Sequence, residues 1–187
     1  MSVSPELPES AWTAAIDRFW FEECGPARWF APDAALDSAI RERFGPWWAA
    51  LQRELAGREP ETPSAAVAAV ILFDQFPRNM FRGTAQMYAT DALARRIAHA
   101  ALDAGWDQTL DGTHRHMLYM PFMHSEERAD QALSLRLFQA LGNAQVLKFA
   151  QHHHDVVMRF GRFPHRDAIL GRPTSPEEAA YIAAHPF

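Results

Sequence analysis

Apolar residues recur along most of this chain at intervals of three and four positions, the spacing that places them on one face of an α-helix. Leu133, Leu137 and Leu141 follow this spacing in one segment, and Leu93 and Ile97 follow it in another. No useful length of chain shows the alternation of apolar and polar residues that is typical of a half-buried strand. The pattern therefore predicts an all-α protein of about seven or eight helices, with antiparallel neighbours joined by short loops.

Capping residues, glycines and prolines indicate where these helices begin and end. Ser10 is the predicted cap of the first helix, and Asp91 and Ser125 are the predicted caps of two later ones. Ser175 precedes a proline and two glutamates, a strong start signal for the last helix. Gly45–Pro46 is expected to kink or split the second helix. The predicted helices cover about residues 10–23, 33–55, 65–75, 92–104, 113–120, 125–141 and 144–160, and a last one that follows Ser175.

One helix differs from the others because it is apolar on every side. It follows a polar linker, residues 57–63, and runs from Ala65 to about Gln75, with Ser64 as its predicted cap and Pro77 as its stop. A helix that is apolar all round is buried. We therefore expect this helix at the centre of a single domain that comprises residues 1–187.

Composition and charge limit the classes of function. A length of 187 residues suits one domain, and a net charge of -5 argues against a nucleic-acid-binding protein, which needs a basic face. Cys24 is the single cysteine and stands beside two glutamates, so we expect it to be chemically inert. The polar start, Met1 to Glu9, does not resemble a secretory signal, and the longest apolar run, 65–73, is too short to span a bilayer. We expect a cytoplasmic protein that does not bind membranes.

Three polar segments are unusual for a plain helical bundle. The first, residues 74–83, places Asp74, Arg78 and Arg82 directly after the buried helix. The second, residues 120–126, ends in His124-Ser125-Glu126, with Ser125 as a cap that points backbone N–H groups toward whatever precedes its helix. The third, residues 159–172, contains four arginines, a histidine and Asp167. A Ser-His-acid triad is excluded within 124–126, because neighbouring side chains cannot align as nucleophile, base and orienting group.

The tract His152-His153-His154 looks like a metal site, but residues in sequence point about 100° apart on a helix. His153 lies on the apolar face, so it is the one member that can contribute to an internal site. It can equally be a core histidine whose hydrogen bonds are satisfied.

The motifs DQFPRNMFRG, PFMHSE, RFGRFPHRD and LGRPTSPEE, together with FWF at 19–21 and RWF at 28–30, resemble the bacterial family called domain of unknown function 924. The resemblance covers nearly the whole chain and implies an all-helical, tetratricopeptide-like fold. It implies no reaction. Two residues depart from the family pattern, Phe73 in place of the usual leucine and Asp167 in place of the usual asparagine. The family's marked polar positions fall on Asp74, Gln75, Arg78, Asn79, Arg82, His124, Ser125, Glu126, His153, Arg162, His165 and Arg166.

These residues allow several interpretations. The segments can form one cleft whose arginines and histidines bind a small anionic molecule, with His124 or His165 as a general acid or base. The same arginines can instead pair with Asp74, Glu126 and Asp167 to hold loops in place. The protein can also be a helical scaffold for a partner protein, in which case a long open groove replaces a deep pocket. His124, Glu126, His153 and His165 lack a metal-binding spacing, so we predict no bound metal and no cofactor.

Overall fold

The computed structural model describes residues 8–185, and these residues form an all-α array without strands. Residues 1–7, which form most of the polar start discussed above, lie outside the described part. No helix within 8–185 has the length and apolarity that crossing a bilayer requires. The α-helices are α1 (Glu9–Asp17), α2 (Ala34–Glu54), α3 (Pro63–Val70), α4 (Phe76–Met80), α5 (Asp91–Asp103), α6 (Gly112–Met123), α7 (Arg128–Leu141), α8 (Ala144–Phe160), α9 (Asp167–Leu170) and α10 (Pro176–Ala184).

The apolar helix is at the centre of the fold, as its sequence predicts. α3 is in contact with α1, α5 and α6, and every residue from Ala65 to Phe73 is buried. The side chains of α1, α2, α6 and α7 complete one continuous core around it. A small separate cluster of Val156, Val157 and Phe163 lies beneath α10.

The central helix does not stop at Pro77 as expected, and this changes the position of Asp74. A π-helical segment, Ile71–Gln75, joins α3 directly to α4, in which Pro77 occupies the first turn. The wider π turn accommodates a residue that lacks an N–H group and whose ring clashes with the preceding turn of an α-helix. Asp74 therefore lies in the middle of a continuous helical segment and not in a last turn.

Four other predicted boundaries are wrong for a common reason. α1 begins at Glu9 without a side-chain cap, so Ser10 lies inside it. Thr62, not Ser64, caps α3 and accepts a hydrogen bond from Ala65 N. Asp91 lies in the first turn of α5, and Ser125 precedes α7 by two residues, with Glu127 at the N-cap position. Several polar residues near each boundary can serve as caps, and tertiary contacts select among them.

Other boundary predictions are confirmed. The expected split of the second helix at Gly45–Pro46 is the exception and is wrong, because α2 is unbroken there. Asn143 caps α8, and Gly142 before it has a φ of 77°, in the left-handed region that ends α7. Ser175 and Glu178 form a capping box at the start of α10. If α3 and α4 are counted together and the four-residue α9 is left out, residues 8–185 contain eight main helices.

Candidate functional site

The three polar segments of the sequence meet around Asp91. Arg78 donates to both carboxylate oxygens of Asp91, at 2.8 and 2.9 Å. Arg166 Nη1 lies 3.7 Å from the same carboxylate, and Arg166 Nη2 donates to the carbonyl oxygen of His124 at 3.0 Å. α4, the end of α6 and the turn that precedes α9 are thereby joined by direct polar contacts.

Tyr88 lies between the two arginines that Asp91 holds. The Arg166 guanidinium is 4.6 Å from the centre of the Tyr88 ring, and that of Arg78 is 5.7 Å from it. A cation over an aromatic face is attracted by the ring, so Tyr88 helps to keep two positive groups close together. Phe163 supports Arg166 from another direction, at 4.5 Å.

Asp74 and His124 form a buried acid–imidazole pair. Both carboxylate oxygens of Asp74 lie 2.9 Å from His124 Nδ1, and Gln75 Nε2 donates to one of them at 2.5 Å. Asp74 is completely buried. The carboxylate therefore holds the proton on Nδ1, which leaves Nε2 as a hydrogen-bond acceptor when the imidazole is neutral. No residue within 8–185 hydrogen-bonds to that Nε2.

Burial and the neighbouring charges shift the pKa values of Asp74 and His124 in opposite directions. Burial raises the pKa of Asp74, but the positive charges of Arg78 and His124 outweigh burial and bring that pKa down to about 2. Burial lowers the pKa of His124, and Asp74 counteracts this only in part, because Arg78 lowers the pKa further. Asp74 is thus ionised, and His124 is a weaker base than an ordinary histidine.

His124 lies where two cavities adjoin. One, of about 330 Å³, is lined by the donor-bearing side chains of Gln75, Arg78, Asn79, Arg82 and His124, with Met87 and the segment 29–31 opposite. The other, of about 350 Å³, is lined mainly by apolar side chains and histidines. Phe30, Met120 and His124 line both. We call these the polar cavity and the apolar cavity, and together the cleft.

The ion pair between Arg82 and Asp37 borders the polar cavity. Asp37, from α2, accepts hydrogen bonds from Arg82 Nε and Nη2, each at 2.9 Å, and from Asn79 Nδ2 at 2.8 Å. Arg82 Nη1 makes no hydrogen bond within the described chain. Half of the Arg82 guanidinium is thus held in place, and the remaining N–H groups can serve a ligand.

His153 lines the apolar cavity. Its ring centre lies 6.1 Å from that of His124, and its Nδ1 is 2.8 Å from the Phe149 carbonyl oxygen. Burial lowers the pKa of His153 to about 3. Its neutral ring therefore adds no charge to the cavity wall.

Six residues of the sequence prediction line neither cavity. Asp74 and Arg166 belong to the cluster described above, and the other four do not. Ser125 donates to Asp130 at 2.8 Å and accepts from Arg95 and from the Glu127 backbone N–H, and it is not the N-cap of α7, because Glu127 holds that position. Glu126 accepts from Arg172 and from the Phe163 backbone. Arg162 pairs with Glu178 in α10, at 2.8 Å. His165 lines neither cavity, and burial lowers its pKa to about 4. The side chains of Ser125, Glu126 and Arg162 hold segments of the chain together.

Asp167 does not pair with its neighbour Arg166. Its carboxylate accepts from Arg172 Nε at 2.7 Å and lies 3.3 Å from Arg162. The aspartate that departs from the family pattern therefore pairs with Arg172 and Arg162 and not with Arg166.

Several residues around the cleft were not predicted. Asp91 was expected to cap a helix, although its position at a helix start is also suited to an ion pair with an arginine. Phe30 lies in the RWF motif, but neither that motif nor the residues around Tyr88 and Phe149 mark an aromatic side chain as part of a cleft.

A metal ion has no evident site in this region. No group of three or more His, Cys, Asp or Glu side chains among residues 8–185 is arranged to hold one. Glu126 is engaged by Arg172, and His124 Nδ1 by Asp74.

A larger surface cavity of about 720 Å³ is bordered by Glu9, Asp17 and Glu61, which would repel an anion.

The fold and site define an all-helical protein with a buried Asp–His–Arg cluster at the edge of a cleft. The chain matches the family model of a bacterial protein of unknown function (DUF924) over residues 16–185, and it belongs to that family. It is also similar to a solved structure, the protein of unknown function ATU0120 from Agrobacterium tumefaciens, with a TM-score of 0.87 and 45% sequence identity. That match covers 94% of this chain and 99% of the other. No curated protein matches the chain.

Proposed function

We propose that the cleft binds a small molecule that carries a carboxylate or phosphate group. The observation that carries the proposal is the polar cavity, in which Arg78, Arg82 and His124 share a volume of about 330 Å³. Guanidinium N–H groups form their strongest hydrogen bonds with such anions, and the planar fork suits them geometrically. A volume of this size is at the lower end of the range for small-molecule sites.

The charge balance of the cluster also supports a ligand of modest charge. Asp74 and Asp91 compensate Arg78 and Arg166, so the four groups together carry no net charge. A single anionic group can then be accommodated by the unbonded N–H groups of Arg82 and by His124 Nε2, which donates to the anion once the ring takes up a proton. A ligand with several charges would be opposed by the carboxylates of Asp74 and Asp91.

The role proposed for His124 is that of a ligand contact. The Asp74 carboxylate orients the ring, which is how a general base is commonly prepared. However, no second catalytic group within the described residues forms a hydrogen bond with its Nε2. Binding is therefore the function for which the geometry gives the stronger support.

Docking of a partner protein on a helical scaffold is the second candidate. It is favoured by two exposed aromatic side chains beside the cleft, Phe30 at 60% and Phe149 at 54% exposure. A small molecule is preferred because these side chains border a cavity and not a long open groove. The tetratricopeptide-like character implied by the family resemblance remains part of this second proposal.

Isothermal titration calorimetry with acetate and inorganic phosphate tests the proposal, with His124 ring signals followed by NMR in parallel. We expect Arg82→Ala to weaken binding about tenfold or more, the usual effect of losing a hydrogen bond to a charged group. His124→Gln should remove the specific NMR response. The matched control is Arg43→Ala, because Arg43 is as exposed as Arg82 and pairs with one carboxylate, Glu23, away from the cleft.

Two results would contradict the proposal. One is that neither anion perturbs the His124 signals. The other is that Arg82→Ala binds as the unaltered protein does, which would indicate that any anion effect arises elsewhere on the surface.

A further inference from the structure

We infer that the ligand is amphipathic: its acidic group lies in the polar cavity between Arg82 and His124, and an apolar chain or ring lies in the adjoining apolar cavity. This inference rests on the proposed function and specifies the ligand class. A monocarboxylic acid with a hydrocarbon portion of several carbons has the required chemistry.

The two cavities share part of their walls. Phe30, Met120 and His124 line both, and each cavity has a volume of about 350 Å³ or slightly less. A molecule whose charged end contacts His124 therefore has its other end beside the apolar cavity. A small inorganic anion would leave that second volume unused.

The apolar cavity is suited to hydrocarbon. Met120 and Met123 lie on one side, and Val146 and Phe149 of α8 lie on another. Methionine side chains are flexible and polarizable, and they adapt to apolar groups of different shape.

The exposure of two aromatic side chains gives independent support. Within residues 8–185, the large hydrophobic side chains that are exposed are Phe30, Phe149 and Leu170. Phe30 and Phe149 both border the apolar cavity, from different parts of the chain. Exposed apolar surface that surrounds a cavity is typical of a ligand-binding site, because the ligand removes it from water.

The histidines in the wall do not oppose an apolar occupant. Burial lowers the pKa of His116 and brings that of His153 to about 3, so both rings are neutral near pH 7. The cavity therefore contains no positive charge at its far end. The charged guanidinium groups lie at the other end of the cleft, beside the polar cavity.

A homologous series tests the inference directly. Binding of acetate, butyrate, hexanoate and octanoate is measured by calorimetry at pH 7, together with 1-hexanol and 1-octanol. We expect each additional methylene to tighten binding about two- to fourfold until the cavity is filled. The alcohols should bind at least tenfold more weakly than the acids of equal length, because they cannot satisfy Arg82.

Two variants and a matched control locate the hydrocarbon. Val146→Asp places a carboxylate in the apolar wall and should abolish the gain with chain length while acetate binding is kept. Phe149→Ala alters an exposed side chain that folding does not require, and it should reduce the increase in affinity with chain length. Leu170→Ala removes the third exposed hydrophobic side chain, which lies outside the cleft, and should change nothing.

The outcomes separate the inference from the function on which it rests. If acetate and octanoate bind equally well and Arg82→Ala weakens both, the anion site stands and the amphipathic ligand is excluded. If alcohols bind as well as acids, the apolar cavity acts without the polar one, and the inference is again wrong. If no acid of any length binds, the proposed function fails as well.

Discussion

Arg78 has more than one role in the cluster. It donates to both oxygens of Asp91, lies 3.3 Å from a carboxylate oxygen of Asp74 and lines the polar cavity. The structural and the ligand-binding interpretations of the sequence are therefore not exclusive for this residue. Arg82 differs, because it is more exposed and, among residues 8–185, binds Asp37 alone. The two arginines can be used to separate stability from binding.

Arg78→Ala should lower the free energy of unfolding by about 3–5 kcal/mol, because it leaves the completely buried Asp74 without its guanidinium partner. Arg82→Ala should cost at most about 1 kcal/mol, as is usual for exposed ion pairs. Urea unfolding at pH 7 measures both. Adding Asp91→Ala to Arg78→Ala should cost less than Asp91→Ala alone. Equal losses for Arg78→Ala and Arg82→Ala would contradict this assignment of roles.

At the level of secondary structure, the segment Ile71–Gln75 determines where the site lies. An α-helix that stopped before Pro77, as the sequence predicts, would leave Asp74 at an exposed end. The π turn instead continues the helix and turns Asp74 toward His124. π turns of this kind are frequent at functional sites, but no residue pattern marks them in advance. The sequence therefore predicted that the helix is buried, but not the position of its carboxylate.

Leu72→Ala should lower the free energy of unfolding by about 2–5 kcal/mol, because Leu72 is fully buried within this segment and truncation leaves a cavity. Chemical denaturation gives the value. Leu170→Ala on the surface provides a control in which little area is lost. A loss below about 0.5 kcal/mol at Leu72 would mean that the segment is not part of the core.

For the molecule as a whole, the sequence predicted that three segments converge but not which side chains face the cleft. Arg78, His124 and Arg166 do meet, through Asp91 and the His124 carbonyl. Arg162 and Glu126 instead face Glu178 and Arg172, partners supplied by α10 and the turn before it. The residues next to each arginine in these loops do not show whether its side chain points to the cleft or to another loop. The position of its acidic partner in the fold decides this. The fold class follows from helical periodicity, whereas this choice depends on long-range contacts.

The charge of the whole chain leads to a final prediction, that anion binding is coupled to a proton. The chain carries a net charge of -5, and the cluster around Asp91 has no excess positive charge to offset it. The pKa of His124 is lowered in the free protein by burial, and an anion next to its ring would raise it. The groups that interact electrostatically with this ring are Asp74, Arg78, Asp91, His116, His153 and His165. Arg166 contacts the backbone carbonyl of the same residue.

Because the anion binds better to the protonated ring, affinity should rise as pH falls from 8 toward 6, by at most tenfold per unit. The rise in affinity should end at pH values below the pKa that His124 has in the free protein, because the ring is already protonated there. Octanoate suits the measurement, since carboxyl groups stay ionised throughout this range. Calorimetry in buffers with different ionisation enthalpies should detect uptake of up to one proton per site. His124→Gln should abolish that uptake while the chain-length dependence is kept. An affinity independent of pH between 8 and 6 would show that the anion does not approach His124.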